Sequence, residues 1–136
     1  MKATVDDRAR TEAFERATAH SVFLRDAIDR WPGIATSFLQ HGASAAISAA
    51  LCEGGVDVAV LLRRRRHALA LAVALGDLAG ELSLEAVTSH LSAFADAAID
   101  RALGAAIAER LPDALPQGLA VLALGKLGSR ERTQHA

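Results

Sequence analysis

Between Asp57 and Gly80 runs a segment whose apolar residues nearly encircle a helix. Leu69 and Val73 fall on one side of it, and Leu71, Leu75 and Leu78 on another. A helix that is apolar around most of its circumference cannot face water, so it must sit among neighbours. This segment, Val58–Ala79, is therefore predicted as the central member of a helical bundle, capped by Asp57 and stopped at Gly80. Gly76 weakens its last turns.

The remaining chain supplies the neighbours. Thr4–Ala19 is charge-rich, with Phe14 its large apolar residue, and reads as a helix that frays at its start. Ser21 can cap Val22–Arg30, where Val22, Leu24, Ala27 and Ile28 recur at near-helical spacing. Trp31-Pro32-Gly33 interrupts it, because proline disfavours helical geometry in the residue before it. Pro32 suits the first turn of a next helix, Pro32–His41, closed by Gly42, with Ile34, Phe38 and His41 sharing a face. Ala43–Cys52 is a short Ala-rich helix ended by Glu53-Gly54-Gly55. Ser83 caps a long helix reaching Arg110, with Glu85 in its first turn. Leu84, Val87, Leu91, Phe94, Ala98, Ala102 and Ala106 follow a three-or-four spacing down one side of it. That seam is expected to pack against Leu69 and Val73. Ser89, Ser92, Asp96 and Asp100 take the opposite side. Leu111–Gly118 holds two of the three prolines and reads as a linker.

The end of the chain changes character. An apolar run, Leu119–Leu124, leads into a small turn, Gly125–Ser129. It is the one strand-to-glycine-loop of the sequence. The fold expected is all-α, a bundle of five to six helices, ending in the first strand of an α/β domain. The domain reading is 1–111 helical, 112–118 linker and 119–136 the start of the second unit.

Composition agrees with helix and narrows the function classes. Ala and Leu carry most of the 51% hydrophobic content, and both lead the helix scale. Fifteen Lys and Arg against sixteen Asp and Glu give a net charge of −1, so no overall field gathers nucleic acid or anionic membrane. A lone cysteine, Cys52, rules out an intramolecular disulfide and fits a reducing cytosol. MKATVDDRAR lacks the apolar core of a secretory signal. The run Ala68–Leu75 is far shorter than the roughly 20 residues a bilayer needs. A cytoplasmic protein is expected.

Few residue patterns point to chemistry. A P-loop needs Ser or Thr directly after its lysine, and Lys126 is followed by Leu127. The dinucleotide fingerprint needs three spaced glycines, and here only Gly125 and Gly128 are available. The G-x-x-G loop of KH domains joins two helices, whereas this one follows a strand. A plain turn remains open on pattern alone. Arg63–Arg66 with His67 covers most of one helical turn. It reads as a nucleic-acid patch or as a solvated turn with long stems over apolar neighbours; the lack of nearby aromatics favours the second. The five histidines show no metal-ligand spacing with one another or with Cys52. Asp96 and Asp100 stand one turn apart, without an acid-base partner in view. No catalytic and no metal-binding residue is assigned.

The order of residues says more. Residues 62–103, LRRRRHALALAVALGDLAGELSLEAVTSHLSAFADAAIDRAL, precede a linker and then residues 118–131, GLAVLALGKLGSRE. This resembles the amino-terminal part of glutamine synthetase adenylyltransferase/adenylyl-removing enzymes. Their pattern has an ALxDLAG helix end, a VTxxLSxFADAAL helix and an LAVLALGKLGxREL strand and loop. FLRDAIDRWPGIATSFLQ fits their first helices more loosely. The resemblance spans nearly the whole chain and is specific from Leu62 to Glu131.

The resemblance implies a nucleotidyltransferase of the DNA polymerase β-like superfamily, carried twice with helical domains around each copy. One copy attaches AMP from ATP to glutamine synthetase, and the amino-terminal copy removes it by phosphorolysis. Divalent metal such as Mg2+ is required, and a PII signal protein and glutamine regulate both activities. The family's first motif is a small pair on the turn after the first strand, matched by Gly128 and Ser129, which the resemblance makes nucleotide-binding. Such a pair lets backbone N–H groups and a hydroxyl approach phosphate. The pattern then departs. The family continues ELNYSSDIDL, whose Asp-x-Asp holds the metals, whereas Glu131 is followed here by Arg132-Thr133-Gln134-His135-Ala136. Phosphoryl-type transfer rests on positioning and charge neutralisation by metal. The expectation is an inactive amino-terminal fragment that needs no cofactor of its own. It would have no membrane or nucleic-acid partner, and could self-associate through Leu119–Leu124. The alternatives are a stand-alone helical interaction module and, more weakly, nucleic-acid binding through Arg63–Arg66 and the GKLG turn.

Overall fold

The computed structural model describes residues 5–115 and 117–125, and these form an all-α bundle. Six helices follow in order: α1 Val5–His20, α2 Val22–Arg30, α3 Pro32–His41, α4 Ala43–Leu51, α5 Val58–Leu78 and α6 Leu84–Arg110. Their starts are set by local chemistry. The first N–H groups of a helix have no partner within it, and a side-chain oxygen just ahead can supply one. Ser21 accepts from Leu24 N–H at 3.2 Å, Asp57 from Val60 N–H at 2.8 Å and Ser83 from Ala86 N–H at 3.2 Å. Trp31 closes α2 by donating its N–H to the Ala27 carbonyl, and Pro32 opens α3 directly after it.

α5 is the centre, as its apolar circumference requires. It touches each of the other five helices, and Ala68, Leu69, Leu71, Ala72, Val73, Leu75 and Gly76 are buried in it. Around it Ala13 and Ala17 come from α1, Leu24 from α2, Ile34 and Phe38 from α3, and Ala46, Ile47 and Ala50 from α4. Small residues on α4 bring it close to α5. At Gly76 a Cβ would lie 2.7 Å from the Ala43 Cβ and 2.8 Å from Leu82 Cδ1, so glycine there permits the approach.

A polar clasp ties the sequence ends of this core together. Glu81, in the α5–α6 connection, accepts the Ala43 N–H at 2.6 Å and so caps α4. Its other carboxylate oxygen accepts from Arg10 Nε on α1. That hydrogen bond to Glu81 raises the Arg10 pKa above its already high ordinary value, so the pair stays charged on the arginine side. Arg16 donates to the Leu78 carbonyl at the end of α5, a second tie between α1 and α5.

Two expectations are corrected. The α6 seam does not enter the core as a whole: Val87 and Phe94 are partly buried against it, but Leu84 and Leu91 are 59% and 44% exposed, and no α6 residue is fully buried. α6 packs chiefly on α5, and one neighbour covers only one side of a helix. Leu91→Ala is therefore expected to cost about 1 kcal/mol or less, since nearly half of the side chain already faces water; a denaturant melt read against wild type checks this. His41 is exposed rather than sharing the buried face of Ile34 and Phe38. Leu119–Leu124 is neither helix nor strand, with Leu119, Val121, Leu122 and Leu124 all more than half exposed.

Candidate functional site

The glycine loop begins at the edge of what is described. Gly125 adopts φ of +68°, a turn conformation, directly after the apolar run. Gly128 and Ser129, the nucleotide-binding expectation, lie outside the described residues. The approach to that loop is an exposed apolar segment leaving the carboxyl end of α6 through the Leu111–Gly118 stretch.

The basic run on α5 is partly engaged by its own fold. Arg64 bonds the Glu53 carboxylate at 2.9 Å and lies over the Trp31 ring, 4.8 Å from its centroid. Arg65 Nε donates to the Glu53 carbonyl at 2.8 Å, and Arg66 contacts the His67 ring at 3.2 Å. Glu53 thus gathers two neighbouring arginines and holds the α4–α5 connection against α5. Cation–π contact with Trp31 extends the same tie to the start of α3. The run thus has an aromatic beside it, Trp31, where the sequence showed none nearby. An open cleft of about 410 Å³ lies here, lined by Arg30, Trp31, Pro32, Glu53, Arg64 and His67 among others. Trp31 is far away in sequence, and spacing could not reveal it.

A second concavity was not foreseen. A groove of about 280 Å³ runs between α5 and α6, lined by Leu62, Leu69, Ala93, Phe94 and Ala97 together with Leu51 from the end of α4. Arg65, His90 and Arg101 stand around it. Its sequence signal is the cluster of alanines on α6, which shaves the helix surface beside Phe94. Spacing alone reads these as part of a packed seam.

Among the described residues no group of three His, Cys, Asp or Glu could hold a metal ion. Cys52 is exposed and free. Asp96 and Asp100 are both exposed on α6. No helix among the described residues is long and apolar enough to cross a membrane.

The family model described as glutamate-ammonia ligase adenylyltransferase matches residues 12–135, which takes in all but the start of α1, the other five helices and the glycine loop. The chain belongs to this family. No curated relative and no solved structure matches it. Gly128 and Ser129 fall within the matched stretch.

Proposed function

We propose that the chain is the amino-terminal helical part of an adenylyltransferase/adenylyl-removing enzyme that controls glutamine synthetase, and hence nitrogen assimilation. The observation that carries this reading is the continuous family match across residues 12–135. Glutamate-ammonia ligase is glutamine synthetase, so the family's description names the target. In this reading residues 1–111 form the helical body, 112–118 the linker and 119–136 the opening of a nucleotidyltransferase domain. Gly128 and Ser129 would present backbone N–H groups and a hydroxyl to a nucleotide phosphate. ATP and Mg2+ are the cofactors of such an enzyme, and a PII signal protein its regulatory partner. The setting is the cytoplasm, where glutamine synthetase and nucleotide are at hand.

The 136 residues contain no Asp-x-Asp pair. Metal-held phosphate is what lowers the barrier to this kind of transfer. The chain by itself is therefore expected neither to add AMP to glutamine synthetase nor to remove it. The decisive assay combines purified chain, Mg2+ and orthophosphate with adenylylated glutamine synthetase and measures ADP. A signal equal to a no-protein blank is expected, and ADP above that blank would refute the inactivity. Co-sedimentation with glutamine synthetase tests the targeting separately, and its absence would count against the helical body as the docking part.

The second reading, a free-standing helical interaction module, is favoured by the open groove beside α6 and by the exposed Leu84 and Leu91. The apolar segment Leu119–Leu124 offers a route to self-association, because its backbone groups have a ready partner in a second copy.

A further inference from the structure

The groove between α5 and α6 is open to solvent although its floor is apolar. We infer that it docks an amphipathic helix of a partner protein, with an apolar stripe in the groove and acidic residues against Arg65 and Arg101. This goes beyond the adenylyltransferase reading and does not depend on it.

Shape sets the class of occupant. A cavity of about 150 Å³ already holds a benzene-sized group. The groove's roughly 280 Å³ therefore admits about two branched or aromatic side chains. Leu62, Leu69 and Phe94 supply its apolar contact. Ala93 and Ala97 have little side chain to hold a visitor off, so another backbone can come close, as in tight helix pairs. A groove bounded by two helices suits a third laid along it, inserting residues one turn apart. The described residues offer no sheet edge to which an extended peptide could add.

Charge sets its sign. Arg65 spends its Nε on the Glu53 carbonyl, and neither of its terminal nitrogens has a partner among the described residues. Arg101 is exposed and likewise unpaired among them. His90 stands beside them, and among the described residues no Asp or Glu lines the groove. Asp96 and Asp100, on the same helix, are not part of the lining. An apolar helix flanked by Asp or Glu would fill the floor and pair both arginines. A basic one would meet like charge at the rim, where juxtaposed cations repel.

The test uses two synthetic peptides of about 18 residues, five helical turns, each with leucine at i, i+4 and i+7. One is flanked by Glu and the other by Lys, and both carry a fluorescent label for anisotropy titration. The Glu peptide is expected to bind about fivefold or more tightly than the Lys peptide, the scale of rim charge pairs. Ala97→Glu blocks the floor at an exposed helical position, where Arg101 one turn on can pair with it. It should weaken Glu-peptide binding by about tenfold or more, as a blocked hot spot does. Its circular-dichroism melt should stay at the wild-type temperature. Arg101→Glu should shrink or reverse the preference between the peptides. Equal binding of the two peptides, no saturable binding by either, or a titration unmoved by Ala97→Glu would each overturn the inference. A concentration-dependent dimer of the free chain that Ala97→Glu dissolves would also overturn it, by assigning the groove to a second copy.

Discussion

Phe38→Ala is expected to destabilise the bundle by about 3–5 kcal/mol, the range seen when a buried aromatic is truncated. Phe38 is wholly buried in α3, at the point where α3 meets the core around α5. Its removal strips the transfer free energy of the ring and leaves a hole that neighbouring side chains fill only partly. The helices around it cannot easily collapse inward. The ends of α3 and α4 are held where they meet: Gly42 N–H donates to the Phe38 carbonyl at 2.8 Å to close α3, and Glu81 accepts the Ala43 N–H at the start of α4. A small domain is stable by only about 5–15 kcal/mol, so such a loss is a large share of the whole. Urea melts of Phe38→Ala and Phe38→Leu, compared with wild type, measure it. A midpoint for Phe38→Ala within error of wild type would show that α3 does not pack as described. The contrast with Leu91→Ala is part of the expectation: both residues are large and apolar, and only one is enclosed.

That contrast also marks how far the sequence could be read. Helix starts were legible because a cap and its target lie three residues apart: Ser21 with Leu24, Asp57 with Val60, Ser83 with Ala86. The central place of α5 was legible because an apolar circumference is a property of one segment. The depth of α6 was not, because burial depends on how many neighbours a helix receives. Its three-or-four spacing is equally consistent with one neighbour or two. The bonds from Glu81 to Ala43 and Arg10, and the stacking of Arg64 on Trp31, join residues far apart in the chain and leave no local pattern. The groove is harder still, since it is defined by what α4, α5 and α6 leave unfilled. Gly128 and Ser129 stand differently again. Their assignment came from the order of residues across the chain, and they lie outside the described residues.

Gly42→Ala is expected to cost about 2–4 kcal/mol, combining backbone strain with the loss of a hydrogen-bonded cap. Gly42 sits between α3 and α4 at φ +88° and ψ −176°, a region that residues with a Cβ essentially do not enter. Space is as restrictive as the backbone. A Cβ there would lie 2.7 Å from Glu81 Oε2 and 2.8 Å from Arg10 Nη2. Those two groups are the clasp itself: Glu81 caps α4 through the Ala43 N–H and pairs with Arg10 of α1. A methyl group at position 42 therefore strains the α3–α4 corner and also pushes the carboxylate from the N–H it satisfies. Glu81→Gln separates the two effects. It leaves the glycine in place and keeps an acceptor for Ala43, removing only the charge opposite Arg10. Its cost should be smaller, about 1 kcal/mol, because both side chains remain in contact with water. Thermal melts of the two variants and of the double variant supply the measurement. If the clasp is one unit, adding Glu81→Gln to Gly42→Ala will cost less than it does in wild type, because the alanine has already displaced the carboxylate. Fully additive losses would mean that Gly42 is needed for the corner alone and that Glu81 acts independently of it.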